Sequence, residues 1–189
     1  MASHSQRPAS TSTIPQRSQQ PDSADPAASS PTTPSAALDD PVLIDHVRCA
    51  VELSADHVAR GGIPFSALVV QGDRVLGTGV NQVLQDRDPT AHAEVVALRD
   101  AARRYGTLAV AGSTLIASGE PCALCYMAAL YFQVDHVVFA ADRYTAAEAG
   151  FDYVGSYQIF ATDPTHWPLR VTSLPVEGAR RPFDLWRQR

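Results

Sequence analysis

A chain of 189 residues, 45% of them hydrophobic, is long enough to bury one substantial core and short for two. Its formal charge of -5 argues against a surface built to hold phosphate backbones, and no apolar run approaches the roughly 20 residues that a bilayer crossing takes. Three cysteines are too few for a disulfide framework and no cationic, apolar leader opens the chain, so the expected compartment is the reducing cytoplasm.

Residues 1–37 contain no Phe, Trp, Tyr or Gly and are dominated by Ser, Pro, Thr, Ala and Gln. Such a stretch cannot offset its ordering entropy by burial, which predicts a disordered tail ahead of one folded domain at residues 38–189. Asp40 can cap a helix, and Pro41 suits its first turn. That helix is expected to reach residue 59, with Leu43, Ile44, Val47, Val51 and Val58 as its apolar stripe, Cys49 as a small core hydrophobe, and Gly61-Gly62 as its end. Residues 66–71 and 74–81 read as two strands around a Gly72-Asp73 turn. A loop carrying Asp86, Asp88 and Pro89 leads into a helix at residues 90–105, closed by Gly106.

Residues 113–117 read as a buried strand, residues 121–132 as a helix with Pro121 in its first turn, and residues 135–140 as a further strand. A short helix near residues 145–149, a weak strand at residues 169–174 and an amphipathic end at residues 182–189 follow. This alternation predicts an α/β protein with helices packed around a mixed sheet.

Two strings carry chemistry: Thr90-Ala91-His92-Ala93-Glu94 and Glu120-Pro121-Cys122-Ala123-Leu124-Cys125. His92, Cys122 and Cys125 can give zinc three ligands and leave a fourth tetrahedral position for water, with Glu94 free to move protons. Both strings fall at predicted helix starts, where unpaired N–H groups and the positive dipole end favour thiolates. Cys122 and Cys125, three apart, share a face of a first turn. His92 and Glu94, two apart, would diverge in mid-helix, but at a helix mouth one can face the metal and the other a pocket. Two alternatives stand beside this reading. A structural zinc site completed by His136 or His166 would close all four positions, and a redox dithiol leaves His92 and Glu94 unexplained.

The H-x-E and P-C-x-x-C pair is a known signature of zinc nucleobase deaminases, and the chain resembles the cytidine deaminase superfamily. The resemblance implies a three-layer α/β/α cytidine deaminase-like fold with a central mixed five-stranded sheet. It also implies zinc on His92, Cys122 and Cys125, and Glu94 as the catalytic proton carrier in hydrolytic release of a ring amine as ammonia. Within the superfamily, Gly79-Val80-Asn81, Asp88-Pro89-Thr90-Ala91-His92-Ala93-Glu94-Val95, Ala146-Ala147-Glu148-Ala149-Gly150-Phe151-Asp152 and the C-terminal Arg181-Pro182-Phe183-Asp184-Leu185-Trp186-Arg187 are similar to bacterial guanine deaminases.

That narrower likeness implies a homodimer with swapped tails, in which a C-terminal lid segment of one subunit closes the site of the other. It implies substrate contacts at Asn81, Phe65, Ala91, Phe132, Tyr153, Phe183 and Trp186. Asn81 also has a direct chemical reading, since an amide offers donor and acceptor to a heterocycle edge, although a strand-end turn residue fits its position equally. Phe183 and Trp186 fit a tail docked on its own domain equally well.

One departure matters: Tyr153 stands where these guanine deaminases carry a second carboxylate, which leaves Asp152 or Glu148 as replacements and turns the expectation from guanine toward cytosine analogues, isoguanine or aminotriazines. The expected function is a zinc-dependent hydrolytic deaminase of a free nucleobase or related aminated heterocycle, with a small-molecule base as partner. One alternative is a tRNA-specific adenosine deaminase, which needs an electropositive surface; Arg180, Arg181, Arg187 and Arg189 form the obvious cluster. The other is a non-catalytic, zinc-stabilised interaction module, against which an intact Glu94 speaks.

Overall fold

Asp40 opens the first helix, α1 (Pro41–Ala59): its carboxylate accepts the Val42 and Leu43 N–H groups at 3.0 and 3.4 Å, satisfying two donors that a helix start leaves unpaired. The computed structural model describes residues 40–188, so the tail expected at residues 1–37 lies outside the described residues. The buried stripe of α1 is rotated from the expected one. It runs through Leu43, Val47, Ala50, Leu53, Ser54 and His57, while Cys49, Val51 and Val58 are exposed. Small Ala50 and Ser54 let the helix lie close to the sheet, and His57 finds a hydrogen-bond partner beneath it; these gains outweigh turning two valines outward.

A hairpin follows, β1 (Ser66–Gln71) and β2 (Arg74–Val80), paired antiparallel with a register shift between Val69 and Val70 that turns both Leu76 and Gly77 inward. Two one-turn helices, α2 (Val83–Asp86) and α4 (Thr107–Val110), flank the long α3 (Ala93–Tyr105). Then come β3 (Thr114–Gly119), α5 (Ala123–Tyr131), β4 (His136–Ala141) and α6 (Arg143–Glu148). β1 pairs antiparallel with β3, and β3 pairs parallel with β4, giving a mixed sheet of order β2-β1-β3-β4.

Alternation along β1 and β3 builds the layers. Ala67, Val69 and Leu115 join Ala93, Ala97, Leu98 and Ala101 of α3 and Ala129 of α5 in one core, whereas Leu68, Val70 and Ile116 pack with Ala50 of α1 in another. Helices therefore cover both faces, and the fold is α/β/α. The closest seam lies between β2 and α3. A Cβ on Gly79 would stand 2.3 Å from the Ala93 carbonyl oxygen and 2.5 Å from the Ala97 nitrogen, and one on Gly77 would be 2.5 Å from the Ala97 carbonyl oxygen. Only glycine permits this approach of backbone to backbone.

The chain divides after Val154 into two compact units. The second contains α7 (Ser156–Phe160), a 3-10 turn (Pro164–His166) and α8 (Arg181–Arg187); its Trp167 indole N–H donates to the Thr162 carbonyl at 3.0 Å, and the Phe160 and Trp167 rings lie 5.5 Å apart. Residues 169–174, expected as a strand, form none, so the described sheet has four strands rather than five. Leu169, Val171 and Leu174 are 63%, 58% and 81% exposed, so the apolar alternation marks no buried face, and Pro168 and Pro175 on either side lack N–H donors. Among the described residues no helix is long and apolar enough to cross a membrane.

Candidate metal centre

His92 and Cys122 are the N-cap residues of α3 and α5, both with extended backbone (ψ 152° and 173°), and neither side chain bonds its own helix. Cys125 lies in the first turn of α5 and is fully buried. The two helix mouths face each other, which brings His92 Nδ1 to 3.4 Å from each sulfur and the sulfurs to 3.6 Å from one another. A tetrahedral zinc with ordinary bond lengths needs edges of about 3.8 Å between sulfurs and about 3.6 Å between sulfur and nitrogen. The donor set therefore fits zinc both chemically and in spacing, and the three residues form a cluster able to hold a metal ion. His136, considered as a fourth ligand, opens β4 at an exposed position outside that cluster.

The electrostatics suit a cation. The Cys122 thiol is held down to about 4 by the proton shared with Cys125 and by hydrogen bonding to His92, so it is a ready thiolate. The Cys125 thiol is pushed up by the same sharing and by burial, and His92 is raised by its contact with Cys122. Glu94, in the first turn of α3, is buried, and burial lifts its carboxyl to about 6.

A cavity of about 360 Å³ opens onto this cluster, lined by His92, Glu94 and Cys122 on the metal side. Phe65, Asn81 and Tyr153, named from the sequence, line it as well, and so does Asp152. The Phe65 ring meets Phe151 edge-on at 5.4 Å and Tyr153 at 6.4 Å, forming an aromatic wall. The Tyr153 hydroxyl donates to the Glu120 carbonyl at 2.6 Å. The Glu120 carboxylate, lining the cavity, is ion-paired to Arg143, which holds it below its ordinary range.

Other expected contacts lie elsewhere. Ala91 is buried and is not among the residues lining the cavity; its carbonyl accepts the Gln82 N–H at 2.9 Å. Phe132 caps the far end of α5 and packs against the core, outside the cavity lining. Glu148 is exposed on α6. Phe183 and Trp186 belong to α8 of the second unit and are 68% and 49% exposed. Sequence reasoning missed Ile63, Val83 and Phe151 as wall residues. Ile63 and Val83 sit in and beside loops, where apolar side chains carry no periodic signal; Phe151, next to Asp152, was the recoverable one.

The comparisons agree with this geometry. The family model for the cytidine and deoxycytidylate deaminase zinc-binding region matches residues 43–141. Guanine deaminase of Bacillus subtilis is 34% identical over 139 residues, spanning 73% of this chain and 89% of that protein. The X-ray structure of guanine deaminase from Bacillus subtilis superposes with a TM-score of 0.71 at 32% identity, covering 77% of this chain and 93% of the other. A tRNA-specific adenosine deaminase of Haemophilus influenzae is 35% identical over 130 residues, 67% of this chain and 72% of its own length. With a matching zinc-binding region, three donors spaced for zinc and a buried glutamate beside them, the chain belongs to the cytidine and deoxycytidylate deaminase family.

Proposed function

We propose that this deaminase acts on a free nucleobase or a related aminated heterocycle, releasing ammonia. The observation that carries the reading is the cavity of about 360 Å³ beside the metal cluster, whose aromatic wall of Phe65, Phe151 and Tyr153 suits a flat ring and whose polar groups include Asn81 and Glu94. When bound, zinc supplies a Lewis acid that makes water nucleophilic near neutral pH. Glu94 accepts a first proton as water adds to the amine-bearing carbon and gives it to a ring nitrogen, then takes the second proton from the newly added hydroxyl and gives it to the departing amine, so that water and the amino ring become the oxo ring and ammonia. A carboxyl near 6 is poised for both directions of that transfer. The Asn81 side-chain oxygen accepts the Val83 N–H at 3.1 Å, which leaves its NH₂ group to recognise an acceptor on the base.

Tyr153 in place of a carboxylate favours cytosine analogues, isoguanine or aminotriazines over guanine. A homodimer in which Phe183 and Trp186 reach a neighbouring copy belongs to the same proposal, supported by their exposure on α8. Likeness to the Haemophilus influenzae protein favours a second reading, a tRNA adenosine substrate, against which the net charge of -5 weighs.

Zinc-loaded protein assayed for ammonia release from guanine, cytosine, isoguanine, 5-azacytosine, an aminotriazine, cytidine and a tRNA stem-loop tests the proposal. Turnover of a free base is the expected result, and turnover of the stem-loop alone would replace it with the second reading. Glu94→Gln should keep stoichiometric zinc and the fold while losing about a thousandfold or more in kcat; undiminished ammonia release would remove Glu94 from the mechanism.

A further inference from the structure

His57 is a buried imidazole that does not line the cavity, yet it is tied to the residue that reads the base. It lies in the last turn of α1, 7% exposed, with Nε2 2.9 Å from the Asn81 backbone carbonyl oxygen. A carbonyl can only accept, so Nε2 carries the proton and donates. The other side of the same peptide unit is held as well, because the Gln82 N–H donates to the Ala91 carbonyl at 2.9 Å, one residue before His92. The Asn81 N–H donates to the Phe65 carbonyl at 3.0 Å, and the Asn81 side-chain oxygen accepts from Val83. The peptide between residues 81 and 82 is therefore pinned at both ends, by His57 on one side and by the turn leading into the metal ligand on the other.

The chain around His57 is built to keep the ring in place. A Cβ on Gly62 would fall 2.1 Å from His57 Nε2 and 2.3 Å from two ring carbons, so any larger residue there evicts the imidazole. The Gly62 N–H donates to the His57 carbonyl at 2.9 Å, folding the loop back over the ring before it reaches Ile63 and Phe65 in the cavity wall.

We propose that His57 is a positioning residue for substrate recognition: its Nε2–H fixes the Asn81–Gln82 peptide and so aims the Asn81 amide at the bound heterocycle. This rests on the reading of the cavity as a base-binding pocket. His57 touches neither substrate nor metal, so its loss should weaken binding of the base more than the chemical step.

The test compares His57→Leu, His57→Gln and Gly62→Ala in the zinc-loaded full chain. His57→Leu should raise KM about tenfold more than it lowers kcat, the scale of one lost buried hydrogen bond. His57→Gln, whose amide can donate to the same carbonyl, should recover most of that loss, and Gly62→Ala should reproduce it by displacing the ring. In ¹⁵N–¹H spectra the Asn81 side-chain amide signal should move in His57→Leu and Gly62→Ala and stay near its place in His57→Gln. An unmoved Asn81 signal in His57→Leu overturns the proposal whatever KM does, as does a His57→Gln protein as impaired as His57→Leu. If His57→Leu does not fold, Gly62→Ala set against His57→Gln carries the same comparison. If the wild-type protein deaminates no free base, the proposed substrate class fails, and the Asn81 signal alone decides the role of His57.

Discussion

Helix N-caps are usually filled by residues whose side chains bond back to the helix, yet His92 and Cys122 hold those positions and turn away. Each gives up a cap and gains a place where a side chain can reach across to another element. Because the cluster holds protons that a metal must displace, with His92 and Cys125 both raised, zinc affinity should weaken as pH falls. Competition with a fluorescent chelator should show about a tenfold or greater loss per pH unit between pH 8 and 6; a flat profile would mean that the cluster binds without releasing protons. The ligands were legible in the sequence because the H-x-E and P-C-x-x-C strings match a known zinc signature and their spacing suits helix mouths that can face a common ion. Phe132 was not, because a family likeness says nothing of which way a ring at a helix C-cap turns, and here it turns to the core.

At the scale of elements, the decisive contact is the seam where α3 rests on Gly77 and Gly79 of β2. Gly79→Ala would force a methyl group into the backbone of α3, at a cost of about 2–3 kcal/mol. Calorimetry should then show Tm lowered by about 5–10 °C, with an unchanged Tm meaning that the seam can open freely.

The extents of the hairpin, β3, β4 and the three longest helices could be read from apolar runs, caps and glycine or proline punctuation, although β1 and β3 are buried on both faces and so show no polar alternation. Residues 169–174 carry a similar pattern, yet apolar alternation makes a strand only where a neighbouring edge accepts its hydrogen bonds, and that partner is invisible in the local sequence. The α1 stripe failed for a related reason. Val51 and Val58 outrank Ala50 and Ser54 in hydrophobicity, but closeness to the sheet, rather than side-chain size, selected the inward face.

Taken whole, the molecule is acidic, and that bears on which substrate class it can hold. A free base carries little charge, so raising NaCl from about 50 to about 200 mM should leave kcat/KM for the best base within about twofold, whereas an RNA substrate held through six or more phosphates would lose about a thousandfold or more. A salt-sensitive base reaction would point to a charged substrate instead.

The whole-molecule layout also separates what is fixed from what can drift. Asn81, which we propose reads the base, follows β2 directly and His92 precedes α3 directly, so on that proposal the glycine seam between those two elements acts as a ruler between recognition and chemistry. Its marks are backbone atoms, which no side-chain exchange can recalibrate. Retargeting this deaminase to a larger or differently substituted ring would therefore proceed through Ile63, Val83 and Tyr153, whose side chains furnish the enclosure, while substitutions along the seam would spoil the measure itself.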